Sequence, residues 1–265
     1  MLSLLLAAQI AAAVPTSLDV VAMDYAFRAP PQVRAGMVTI RLRNTGTKLH
    51  HLQLFKLADG KRLGDLYPIF LKAKSVGEPP AWAVPAGGPS AAMPGATIAV
   101  TEALSPGRYA LICWIPAGDG TLHFMKGMAG EVEVVGPSAG AASAAVPRAD
   151  IVATTRDYTI TFDKAITAGR RTVRIENRGT HAHEWLVVRL KPGMTARDVA
   201  EWSGAGQLGP APHSEWFGLA AIAPGAQGFV THTFTPGEYV AFCLAEGKDG
   251  VLHLMKGMET RFRVR

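Results

Sequence analysis

The sequence predicts an all-β protein built twice over, as two tandem domains that each form an antiparallel sandwich or barrel. Three observations predict it. Nearly the whole chain of 265 residues is an internal repeat. Within each copy, strand-like runs bounded by Gly and Pro dominate. The repeat also returns the same thiol, imidazole and thioether at the same spacing, with Cys113, His123 and Met128 answered by Cys243, His253 and Met258.

The repeat is followed in chain order. Asp24-Tyr25 matches Asp157-Tyr158. Ala35-Gly36 and the run Val38 to Asn44 match Ala168-Gly169 and the run Arg171 to Asn177. Both runs alternate apolar and polar, the period of a half-buried strand. Each ends in Asn-x-Gly, a turn signal, and then reaches a histidine, His50 in one copy and His183 in the other. Pro94-Gly95 pairs with Pro224-Gly225. Pro106-Gly107-Arg108-Tyr109 pairs with Pro236-Gly237-Glu238-Tyr239, opening the strand that delivers each cysteine.

A short helix is expected in each half. Thr195 is a natural N-cap for the segment ending at Trp202, and Leu63–Leu71 is its weaker counterpart, with Pro68 inside. Residues 72–95 and 203–225, rich in Pro, Gly and Trp, read as irregular excursions over one end of the sandwich. Between the copies lies an uncharged stretch of small residues, a flexible linker by composition. The expected layout is a signal peptide at 1–18, one domain at 19–135, the linker at 136–148 and a second domain at 149–265. Each domain is of a size that buries its own core, about 100–150 residues being common.

The apolar opening with small residues before Val14 resembles a secretory leader, although it lacks a basic start. It is shorter than the ~20 apolar residues a membrane span needs. Export, to a periplasmic or extracellular place, is therefore expected, with no integral membrane segment in the mature chain. The formal charge of +6 is spread over both copies without a basic tract, which gives nucleic-acid binding no support. The two cysteines occupy equivalent interior positions of separate domains, so they are not expected to form a disulfide. Two lone thiols in an oxidising compartment point to a metal that occupies them.

Thiolate, two imidazoles and a weak axial methionine are the donor set of a type 1 copper site. His50, Cys113, His123 and Met128 supply it in one copy, and His183, Cys243, His253 and Met258 in the other. With that order of ligands, each half resembles a cupredoxin. The nine residues between cysteine and histidine are similar to the longer ligand loops of copper nitrite reductases. The resemblance implies a fold of two tandem Greek-key β-sandwich domains with short helical insertions, one copper per domain and single-electron transfer to a redox partner protein. It favours Met128 and Met258 over Met125 and Met255, which are left to core packing. It also expects an asparagine after the first histidine, where this chain has His51 and Glu184. His213 and His232 have no counterpart in the first half and read as surface residues.

An oxidase or nitrite reductase is not expected from this chain. The cysteine neighbours Ile112, Trp114, Phe242 and Leu244 are not ligands, and four of the eight histidines are already assigned. Two other readings stay open from sequence: a copper-handling protein without redox turnover, and a metal-free scaffold or interaction module.

Overall fold

The computed structural model describes residues 16–73, 78–136 and 145–265. The first half contains β1 (Ser17–Met23), β2 (Ala26–Arg28), β3 (Gln32–Arg34), β4 (Gly36–Asn44), β5 (His50–His51) and β6 (Gln53–Leu57). Helix α1 (Leu63–Ala73) follows, then β7 (Ala83–Pro85), β8 (Ala91–Ala92), β9 (Thr97–Leu104), β10 (Gly107–Ile112) and β11 (Ala129–Val135). The second half runs β12 (Ile151–Arg156), β13 (Thr159–Phe162), β14 (Gly169–Asn177), β15 (His183–Leu190), α2 (Ala196–Gly204), β16 (His213–Ile222), β17 (Gln227–Phe234), β18 (Gly237–Phe242) and β19 (Glu259–Val264).

The strands obey the pattern that predicts them. In β4, Val38, Ile40 and Leu42 are buried, while Arg41 and Arg43 point outward. In β14, Val173 and Ile175 repeat the arrangement. Period-2 burial of this kind fixes register, because a one-residue slip would turn every apolar side chain to water. One sheet of the second half orders β16-β15-β18-β19, and its counterpart in the first half orders β3-β11-β10-β6-β7. Not all ladders are antiparallel: β1 runs parallel to β4, β12 to β14, and β3 to β11.

β5 and β8 pair as a two-stranded ribbon, and the other eight strands form one sheet across both halves, in the order β13-β12-β14-β17-β9-β4-β1-β2. Its seam is an antiparallel ladder between β9 and β17, in which Glu102, Thr101 and Val100 face Gly228, Phe229 and Val230. A further strip of backbone joins the halves, with Gly87 N–H donating to Ala221 O (2.9 Å) and Ala220 N–H to Gly88 O (2.8 Å). Gln53 bonds Ala221 with both ends of its amide, at 2.9 Å each. One apolar cluster, from Leu18 to Val264, continues through both halves. Backbone pairing, rather than the linker, sets how the halves meet.

Several expectations change. Residues 203–225 are not irregular: 213–222 form β16, a ten-residue strand paired along β15 from His183 to Leu190. Ser17 and Leu18 open β1 and pair with Thr39 and Ile40. The rest of the expected signal peptide, 1–15, and linker residues 137–144 lie outside the described residues, as do 74–77 of the first insertion. Both helices form as expected. Thr195 caps α2 in a capping box with Asp198, and Pro68 sits within α1. Among the described residues no helix is long and apolar enough to cross a membrane.

Candidate metal centres

Each half builds its cluster from the turn upward. At the end of β4 the Asn44 amide donates to Lys48 O (2.7 Å) and Ala92 O (2.8 Å), and its oxygen accepts from Gly46 N–H (2.9 Å). Asn177 does the same with His181, Ile222 and Gly179. The Asn-x-Gly signal is therefore a brace that carries the chain across to His50 or His183. Its glycine is required for close approach. A Cβ at Gly46 would overlap the Asp24 carboxylate and lie 2.7 Å from His50 Nε2, and one at Gly179 would lie 2.5 Å from Asp157 and 2.7 Å from His183 Nε2.

The other donors arrive on one loop. The tyrosine of each Pro-Gly-x-Tyr motif anchors its strand by donating to a carbonyl four residues earlier, Tyr109 to Ser105 (3.0 Å) and Tyr239 to Thr235 (3.1 Å). At the strand end, Cys113 N–H donates to Met128 O (3.2 Å) and Cys243 N–H to Met258 O (3.3 Å). A 3-10 turn then carries each histidine, closed by Gly127 (φ 104°) or Gly257 (φ 94°) in left-handed conformation. Met128 N–H returns to His123 O and Met258 N–H to His253 O, both at 3.0 Å. Both methionine side chains are fully buried in the same apolar cluster as the cysteines.

The donor atoms converge. His50 Nδ1 lies 3.3 Å from His123 Nδ1, which lies 3.5 Å from Cys113 Sγ. In the second half the distances are 3.1 Å between His183 and His253, and 3.6 Å to Cys243. Each trio has its donor atoms within 4.8 Å of one another and all three residues buried. The structure therefore brings together three of the four residues assigned to each site, and the backbone bonds above bring the fourth alongside. Of the methionines left to packing, Met125 packs in an aromatic cluster with Phe70, Trp114 and Phe124. Met255 does not, being 43% exposed.

Sequence reasoning missed the residues that hold the first histidine. His50 Nε2 bonds Asp24, and His183 Nε2 lies 3.1 Å from Asp157. Each aspartate is fixed in turn by a threonine: Thr47 donates from N–H (2.8 Å) and Oγ1 (2.6 Å), and Thr180 from both groups at 2.8 Å. The repeated Asp-Tyr dipeptide was the available signal. An aspartate on Nε2 keeps that nitrogen protonated and leaves the Nδ1 lone pair facing the cluster. Burial raises the Asp24 carboxyl, but the Thr47 and His50 bonds more than offset it and hold its pKa down at about 2. Asp157 is lowered likewise. Burial, with repulsion from the other imidazole, pushes His123 and His253 down to about 4, so both are neutral at pH 7. Burial pushes the Cys113 thiol up to about 12, against N–H bonds from His51 and Ile115 that lower it, and it raises Cys243 too.

The residue after the first histidine acts through its backbone. His51 N–H donates to Cys113 Sγ (3.4 Å) and Glu184 N–H to Cys243 Sγ (3.3 Å). A main-chain donor does not depend on an asparagine side chain, so the missing asparagine leaves this sulfur contact in place. The remaining histidines divide. His213 is not a surface residue: it is 2% exposed, edge-on between Trp202 and Trp216 at 5.2 Å each. His232 is half-buried, stacked on Phe217 at 3.6 Å and bonded to Glu215 (3.1 Å).

No protein-family model matches the chain, and neither does any curated protein. Among solved structures it is similar to dithionite-reduced auracyanin from Roseiflexus castenholzii, at 20% identity over 46% of this chain and 99% of that one, TM-score 0.33. It is also similar to auracyanin A of Chloroflexus aurantiacus, a blue copper protein, at 24% identity over 46% and 99%, TM-score 0.32. A copper nitrite reductase from Nitrosomonas europaea matches at 16% identity over 95% and 94%, TM-score 0.25. The likeness is one of all-β architecture, and what each cluster holds is read from its own donors.

Proposed function

We propose that the chain is an exported protein whose halves, 19–135 and 149–265, each hold one type 1 copper and pass single electrons to and from a redox partner protein. The observation that carries this reading is the buried His, Cys, His trio, formed twice with the same atoms converging. Each buried trio can pair internally only in part, through the thiol S–H or a ring N–H, whereas a cation among its three donor atoms satisfies them together. Two nitrogens and a soft sulfur, with a buried methionine beside them, suit copper. When bound, copper supplies the one-electron couple.

The chain's own part is to hold the donors still. Asp24 and Asp157 fix the first imidazole, the 3-10 turn fixes the second, and the N–H groups of His51 and Glu184 favour the thiolate. Burial keeps water away. The raised thiol values describe metal-free cysteines; a cation among the donors stabilises the thiolate and reverses that preference. Export rests on the leader-like opening and on two free buried thiols, which bound metal would protect.

The test is anaerobic loading with Cu(II), followed by visible absorption and metal analysis. An intense thiolate-to-copper band with one copper per half is expected. It should bleach and return under mild reductant and oxidant. A protein that binds copper but does not cycle would be a copper-handling protein, and one that stays colourless and metal-free would be a scaffold.

A further inference from the structure

The two residues that follow the first histidines do more than serve their own halves. His51 and Glu184 meet across the boundary between the halves, with Nε2 and Oε1 4.0 Å apart and both residues buried. Each is tied to a different thiol, His51 N–H to Cys113 and Glu184 N–H to Cys243. Glu184 is tied a second time, since its Oε2 accepts from Leu244 N–H (2.9 Å), the residue after Cys243. Among the described residues neither ring nitrogen of His51 has a hydrogen-bond partner, which leaves the facing carboxylate as the polar neighbour of Nε2.

The surroundings keep this pair in place. Gln207 of the second half accepts from Leu49 N–H (2.9 Å), beside His50, and donates to Pro116 O (3.2 Å) in the first ligand loop. Gln53, two residues beyond His51, is clamped to Ala221. The side chains of His51 and Glu184 thus face each other across the boundary, while the backbone N–H of each meets the thiol of its own half.

We propose that His51 and Glu184 are a single positioning pair shared by the two centres, so that each half sets the thiolate geometry of the other. This rests on the metal reading above. Groups that orient metal ligands matter for affinity, their loss commonly weakening binding by about 10- to 100-fold, and here that effect would cross from one half to the other.

The full chain, stripped of metal and titrated with Co(II) alone, tests it, because Co(II) bound to a thiolate absorbs visibly and is not reduced by the thiol. In a Cys243→Ser background only the first cluster keeps its sulfur. Adding Glu184→Ala, a change in the second half, is expected to weaken Co(II) at the first cluster by at least about tenfold and to shift its thiolate band. Glu184→Gln retains the shape and the acceptor for Leu244 N–H and should keep the affinity near its starting value. In the reciprocal Cys113→Ser background, His51→Ala should disturb the second cluster, which guards against one variant failing to fold. A thiolate band that ignores both cross-half substitutions overturns the shared pair and leaves the two separate sites standing. No thiolate band in either background overturns the metal reading as well.

Discussion

Glu102 sits in β9 at the seam between the halves, opposite Gly228, and is 3% exposed. Its carboxyl accepts from Gly88 N–H at 2.7 Å. Burial pushes its pKa from the ordinary 4.5 up to about 8, with the Gly88 bond pulling slightly the other way. The folded protein therefore keeps a proton that the unfolded chain gives up. The stability this contributes is fully present below pH 4.5 and is lost as pH rises through about 8. At about 1.4 kcal/mol per pH unit, the loss is roughly 3 kcal/mol by pH 7 and on the order of 5 kcal/mol once the group has ionised, less whatever relaxation around the charge recovers. Glu102→Gln keeps the shape and the acceptor for Gly88 but cannot ionise. Urea unfolding of metal-free protein from pH 5 to pH 9 should show the variant gaining on the parent steadily, by several kcal/mol at the alkaline end. A difference that stays constant over that range would refute a neutral Glu102 in the seam.

Other expectations bear on the centres and the scaffold. Asp24→Asn should weaken metal at the first cluster by about 10- to 100-fold and leave the second cluster's thiolate band unchanged; loss at both would mean the aspartate holds the fold. His213, pushed down to about 4 chiefly by burial and also by Lys191, stays neutral in the fold. It should destabilise the protein as pH falls from 6.5 towards 4, and His213→Phe should flatten that part of the pH–stability curve. Gly218 has φ 134°, and a Cβ there would overlap the Trp185 carbonyl. Gly218→Ala should cost more than about 1 kcal/mol, read as a lowered urea midpoint.

Much of this was legible in the sequence because periodicity and the repeat are local signals. The alternation in Val38 to Asn44 placed β4, and the Thr195 capping box placed α2. The ordered histidine, cysteine, histidine and methionine set picked out three residues per cluster that the fold brings into contact. What stayed hidden was non-local. Asp24 was matched to Asp157 as part of the repeat, but nothing in its neighbours says that it reaches a histidine 26 residues on. His213 had no repeat partner, and only the packing of two tryptophans makes its site interior. The pairing of β9 with β17 is a choice between two strands whose own patterns would equally suit an open sheet edge.

That pairing has a bearing on how such a chain survives as a duplicate. An open sheet edge invites any strand that passes, and natural proteins guard against it. Here β9 and β17 cover each other at residues 100–102 and 228–230, and the eight-stranded sheet ends instead in β2 and β13, of three and four residues. Such short ends offer little template for a stranger. Either half produced alone would uncover that stretch of an eight-residue strand, and its nearest complement would be another copy of itself. The duplication thus makes a partner that can never diffuse away, and a sticky border becomes an internal suture.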